Sequence, residues 1–149
     1  MRCIASGEFG VALPAGEAIE FFTPEGERDW VPEWQPVYPS GEPGEKPGTV
    51  FTTDVAGVHT IWVILEIDRV GGTAAYARVT PGHHAGTVRV RCSNVADGGC
   101  VAMVSYDMSL LPGADPFDLD PYRIDAFETM MSEWATAIRR IVATPGPNR

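Results

Sequence analysis

The stretch "DPYRIDAFETMMSEWATAIRRIVATPG", Asp120 to Gly146, decides what the rest of the chain must do. Its apolar residues Ile124, Phe127, Met131, Trp134, Ile138 and Ile141 recur at alternating spacings of three and four. That is one stripe of a long amphipathic helix. Asp120 with Pro121 suits its start, Arg139 and Arg140 suit the negative end of its dipole, and Pro145-Gly146 stops it. Residues 144–149 read as a loose tail. A helix with a single apolar stripe needs an apolar surface to lie on, and the sequence before it supplies one.

After Gly48 come runs rich in Val, Ile, Thr and aromatics: "TVFTTD", "HTIWVILEID", "TAAYARVT", "AGTVRVRCS" and "CVAMVSYDMSL". Between them stand Ala56-Gly57, Val70-Gly71-Gly72, Pro81-Gly82 and Asp97-Gly98-Gly99. Connections this short require successive strands to pair as antiparallel hairpins. In "TVRVRC", Val88, Val90 and Cys92 share one face and Arg89 and Arg91 the other, as for a sheet with one wet side. In "TIWVILEID", Trp62 and Glu66 share a face while Ile61, Val63 and Leu65 make the other face apolar too. Alternation leaves open which one looks inward, and a homodimer partner could cover the second.

Upstream, residues 5–12 read as a first strand, and "PAGEAIEFF" has the proline and acidic residue of a helix start. From Pro24 to Pro47 the dense prolines and glycines predict short helical turns and loop. This segment still carries Trp30, Trp34, Val37 and Tyr38, too much apolar area to leave in water, so it should fold back onto the body. The resulting order allows one arrangement: a curved antiparallel sheet wrapped around the last helix, an α+β fold. Bulky residues between the two layers (Met130, Met131, Trp134) make a ligand cavity there a candidate.

With 11 Lys and Arg against 20 Asp and Glu, the formal charge of −9 disfavours nucleic acid as a partner. No apolar run is long enough to insert in a membrane. The first twenty residues lack the continuous apolar core of a secretory signal, and three cysteines without a CxxC pair fit a reducing compartment. The expected location is cytoplasmic. At 149 residues the chain has the size of one domain, 1–149.

Five pieces, "FFTPEGERDWVPEWQPVY", "GTVFTT", "YARVTPG", "SYDMSLL" and "SEWATAIRRIV", together resemble the START-like, or SRPBCC, superfamily, in particular bacterial members described as polyketide cyclase or dehydrase. The resemblance runs from about Ser6 to about Val142. It implies a helix-grip fold, in which the sheet grips the last helix and short helices after the first strand close a deep apolar cavity. It also implies that Trp30 and Trp34 turn inward, with Glu25, Glu27 and Arg28 facing solvent or one another. Plain core packing of the two tryptophans is the competing reading.

Several residues are candidates for the pocket wall. Tyr76 and Arg78 share a face of "TAAYARVT" and could orient a carboxylate or a polyketide carbonyl, or else face outward. Tyr106 and Met108 lie on the more apolar face of "CVAMVSYDMSL", which sends Asp107 to water. Trp62, Phe127, Met131 and Trp134 complete the set, and Glu27, Asp125, Glu128 and Glu133 are the carboxylates nearest to it. His83 and His84 read as a solvent-facing turn. The spacing of His59, His83 and His84 offers no zinc set, and no motif supplies an activated nucleophile or a phosphate loop, so neither metal nor cofactor is expected.

Three functions remain in view. The first is binding of a small hydrophobic or aromatic molecule, lipid- or polyketide-like, in the cavity. The second is a cyclase, aromatase or dehydrase, a lyase or isomerase type of enzyme using acid–base residues there. The third is a protein-interaction module like the co-chaperone-like relatives of the superfamily.

Overall fold

The structure, a computed structural model, describes residues 1–144. Apart from Thr144, the expected tail at 144–149 lies outside the described residues. Strand β1 (Arg2–Val11) is followed by a short helix α1 (Ala15–Ala18) that runs directly into a 3-10 turn, Ile19–Phe22. A second 3-10 turn, Gly26–Asp29, opens the proline-rich segment. The meander then runs β2 (Val50–Val55), β3 (Val58–Asp68), β4 (Thr73–Thr80), β5 (His84–Asn94) and β6 (Cys100–Leu110). A 3-10 turn, Pro116–Tyr122, leads into helix α2 (Ile124–Ala143).

All neighbours pair antiparallel in the order β1-β6-β5-β4-β3-β2, so the first strand closes the sheet beside the last. The tightest connection, Ala56-Gly57 between β2 and β3, has both residues in the left-handed region (φ 50° and 78°). Such a turn matches the twist of the strands it joins, and glycine adopts it freely. Ala56 does not, and the Glu33 carboxylate holds it by accepting its N–H at 3.2 Å.

Alternation sorts the sheet as the Val and Arg residues of β5 predict. Val88, Val90 and Cys92 are buried against the helix layer, and Arg89 and Arg91 are exposed on the outer face. In β3 the inner face belongs to Trp62 and Ile64, and Ile61 and Val63 look outward with their partners Val79 and Ala77. A β-bulge between Ile64 and Glu66 then inserts one residue and reverses the alternation. Glu66 therefore pairs with Ala75 on the outer face rather than sharing the face of Trp62.

Two features of α2 differ from expectation. Its first turn begins at Ile124, not at Pro121, because Pro121 lies inside the preceding 3-10 turn. Ile124 is consequently 78% exposed, while Phe127, Met131, Ala135 and Ile138 form the buried stripe. The helix lies mainly along β1. It comes close there because Gly7 has no side chain: a Cβ would sit 2.7 Å from the Met131 side chain. Farther across the sheet, over β3 to β5, the layer is filled by the aromatic residues that follow β1 and by Trp134. That is where the candidate site lies.

Candidate functional site

The 3-10 turns after α1 aim their side chains in two directions. With three residues per turn, residues i and i+3 share a face. Glu25 and Arg28 share the outer one, where the Arg28 Nε donates to Glu25 at 3.0 Å and the Tyr38 hydroxyl donates to the same carboxylate at 2.7 Å. Glu27 and Trp30 share the inner one. The Trp30 indole N–H donates to the Phe21 carbonyl at 2.7 Å, and the ring meets Trp134 edge-on at 5.2 Å. The resemblance implies that Glu27 faces solvent or its charged neighbours. Its carboxyl instead lines the interior with Trp62, Tyr76, Tyr106 and Trp134, as fits its place among the carboxylates nearest the pocket. The residue as a whole is half-buried, but its carboxyl end is stripped of water, and this desolvation pushes its pKa up to about 8, partly opposed by Arg78. At neutral pH the group is mostly protonated.

Arg78 stands opposite it on β4. Its guanidinium carbon lies 4.5 Å from the centre of the Trp62 ring, a cation–π contact, and its Nε is buried without a hydrogen-bond partner. The residue across the ladder on β5 is Gly86, whose Cβ would fall 1.9 Å from the Asp107 carbonyl. The sheet can bend tightly there because that position carries no side chain. Two residues before Gly86 on the same face is His84. The solvent-facing turn expected for both histidines holds only for His83, which is exposed beside Asp118 at 3.0 Å. His84 is 8% exposed, its Nδ1 is buried without a partner, and its ring meets Tyr122 edge-on at 5.5 Å. Burial, and then the charge of Arg78, lower its pKa, which keeps the ring neutral.

The walls are aromatic. Phe51 and Trp62 stack at 5.7 Å, with Tyr76 edge-on to both. Tyr106 stacks on Tyr122 at 5.3 Å and meets Phe127 and Trp134. The Tyr76 hydroxyl is committed to the Phe22 carbonyl at 2.6 Å. Burial raises the pKa of Tyr106, against the effect of Arg78, so its hydroxyl stays protonated. Between these walls remains a cavity of about 20 Å³, room for a single water.

Of the residues singled out in the sequence, Trp62, Tyr76, Tyr106 and Trp134 line this cavity and Arg78 stands beside it. Trp30 flanks Trp134, and Trp34 packs on Phe51 and Trp62 with its indole N–H on the Pro24 carbonyl. Met108, Phe127 and Met131 are buried in the surrounding core. Asp125, Glu128 and Glu133 are exposed on α2. Two residues were legible but misread. Glu27 lies three residues before Trp30, and His84 lies on the Val88 face when the β5 alternation is carried back through Gly86.

A larger concavity, about 560 Å³, lies on the outer face of the sheet among Glu8, Glu66, Arg89, Arg91 and Met103. It is open to solvent and lined by exposed charges of both signs, so those groups are already hydrated and gain little from a ligand. The interior is the better candidate because two of its polar atoms, the Arg78 Nε and the His84 Nδ1, are buried without a partner. Among the described residues no three His, Cys, Asp or Glu side chains converge as metal ligands would.

No family model matches the sequence, and no curated protein matches it. Solved structures do match in shape. Norcoclaurine synthase from Thalictrum flavum superposes with a TM-score of 0.69 at 13% identity, covering 97% of this chain and 88% of that one. An aromatase/cyclase from Streptomyces superposes with a TM-score of 0.67 at 15% identity, over 98% and 99% of the two chains. A START superfamily protein from Mycobacterium smegmatis gives 0.62 at 16% identity, over 94% and 97%. At such identities the likeness concerns the fold: a curved antiparallel sheet, short helices after the first strand and a long C-terminal helix, which is the START-like helix-grip fold.

Proposed function

We propose that the protein binds a small hydrophobic or aromatic molecule between the sheet and α2. The observation that carries this reading is a pair of polar atoms buried without a protein partner beside an aromatic interior, the Arg78 Nε and the His84 Nδ1, with the desolvated Glu27 carboxyl facing Arg78. A core built only for stability pairs its buried polar groups, since each unpaired one costs about 1–3 kcal/mol. Groups held ready for a ligand bear that cost in the empty state. The cavity of about 20 Å³ is a closed form, so a ligand must displace side chains. Trp30 and Trp134, both half-buried and in edge contact, are the wall residues whose displacement would open the cavity. The similar shapes of an aromatase/cyclase and a norcoclaurine synthase support a small-molecule reading of this fold.

A second reading, an acid–base enzyme of the cyclase or dehydrase type, is favoured by one arrangement. A carboxyl protonated at neutral pH faces an arginine, so Glu27 could give up a proton where Arg78 steadies the developing oxyanion.

A cytoplasmic location belongs to the same proposal, supported by three free thiols of which Cys92 and Cys100 lie side by side on the inner face. So does a homodimer through the outer face of β2 to β4, supported by the partly exposed Val50, Leu65 and Val79. Among the described residues no helix is long and apolar enough to cross a membrane.

Native mass spectrometry on freshly purified protein, followed by denaturing extraction, tests the binding reading. A co-purifying apolar molecule supports it. An empty protein that also ignores apolar probes refutes it.

A further inference from the structure

The polar groups of the interior are not scattered around it. Trp62, Arg78, Tyr106, Tyr122 and His84 form one continuous patch on the inner face of β3 to β6 and the turn before α2. Arg78 lies over Trp62 at 4.5 Å, Tyr106 stacks on Tyr122 at 5.3 Å, and Tyr122 meets His84 at 5.5 Å. Arg78 and His84 are diagonal neighbours on the same face of adjacent strands, since Arg78 pairs with Gly86 and Thr80 with His84. The charge of Arg78 is felt by Glu27, Tyr106, Tyr122 and His84. The rest of the cavity lining, Phe22, Phe51, Val88, Val90 and Trp134, is apolar or aromatic, with Glu27 as its one carboxyl.

We propose that this patch is a carboxylate-recognition subsite, with the Arg78 Nε and the His84 Nδ1 as donors, and that the ligand of the interior is an aromatic acid. The proposal rests on the interior being the ligand site and names the class of ligand it selects. An arginine whose inner nitrogen has no partner lacks the counter-charge that buried cations take up, and a ligand carboxylate supplies it. His84 has a nitrogen free to carry the imidazole proton and present it to the second oxygen. Glu27 does not compete, because its carboxyl is mostly neutral at pH 7 and makes no hydrogen bond to Arg78. Tyr76 contributes ring surface only, its hydroxyl being held by Phe22. A planar ring system carrying the acid matches the edge and face contacts among Trp62, Phe51 and Tyr106 better than a flexible chain does.

Three probes of one ring size separate the possibilities: naphthoate, naphthylmethanol and naphthylmethylammonium, titrated into the full-length protein with tryptophan emission as the signal. The expected result is that naphthoate binds at least about tenfold more tightly than the alcohol, with the ammonium weakest. In Arg78→Met the acid should fall to the level of the alcohol while the alcohol changes by less than about twofold. His84→Phe, which keeps the ring's bulk, should weaken the acid alone, by about threefold to tenfold. The wild-type series decides the question even if Arg78→Met does not fold. Equal affinity of acid and alcohol for the wild-type protein overturns the carboxylate subsite and leaves the apolar cavity standing. If none of the three binds, the interior is no ligand site and both readings fall.

Discussion

Replacing Glu27 by glutamine should flatten the alkaline side of the stability curve. Burial strips the carboxyl of water and Arg78 offsets this only in part, so the group titrates at about 8 instead of its ordinary 4.5. Below the ordinary value it is protonated in both the folded and the unfolded chain, and its contribution to stability is fully present. As pH rises the unfolded chain ionises first, folding must take up a proton, and stability falls until the pH passes about 8. Each pH unit in that window is worth about 1.4 kcal/mol, which sets a ceiling of about 5 kcal/mol. The residue is half-buried, and water at its exposed part relaxes the penalty, so about 2–3 kcal/mol is the expected loss. Tyr76 and Tyr106, which face the carboxyl, are pushed above their ordinary 10.0 and do not titrate in this window. His84 does, but equally in both proteins, so the difference between them isolates Glu27. Urea unfolding of wild type and Glu27→Gln at about pH 5 and about pH 9 reads it directly. Parallel losses, agreeing within about 0.5 kcal/mol, would refute the desolvated carboxyl.

Trp134→Ala should cost about 3 kcal/mol, because the ring packs on Phe22, Trp30 and Tyr106; a thermal melt shifted by less than about a degree would count against that packing. Gly86→Ala should cost about 3 kcal/mol, since its Cβ would meet backbone of β6 rather than a movable side chain; an unchanged urea midpoint would remove the tight bend at β5. Burial pushes the Cys92 thiol up to about 12 and raises that of Cys100 as well. Iodoacetamide at about pH 8 should therefore label the half-buried Cys3 first in the native protein, and equal labelling of all three would contradict the burial of the other two.

The layers of this fold were legible because they rest on period. Strands β4 and β6 fall where composition and turn residues put them, and the stripe from Phe127 to Ile141 faces the sheet. The errors come where the period changes. Pro121 belongs to a 3-10 turn, so the helix starts late and leaves Ile124 in water. One extra residue in β3 reverses its alternation and puts Glu66 outside, which no residue type in "VILEID" announces. The site was harder to read for a different reason. Strand alternation put Tyr76 and Arg78 on one face and Tyr106 on the more apolar face of its strand, but left open whether Trp62, Tyr76 and Arg78 look inward. Glu27 enters through a turn with a three-residue period, where a charged residue beside Arg28 reads as surface. His84 was lost by starting the strand one residue late, at Ala85, which detached it from the face of Val88.

An apolar ligand should enter the interior between the sheet and α2 and not the outer groove. Methyl NMR of the protein titrated with naphthylmethanol separates the two sites, because Val88 lines only the interior while Met103 and Val79 report on the outer face. The largest shifts, and contacts to the probe, are expected at Val88. Shifts confined to Met103 and Val79, or none at saturating probe, would contradict it.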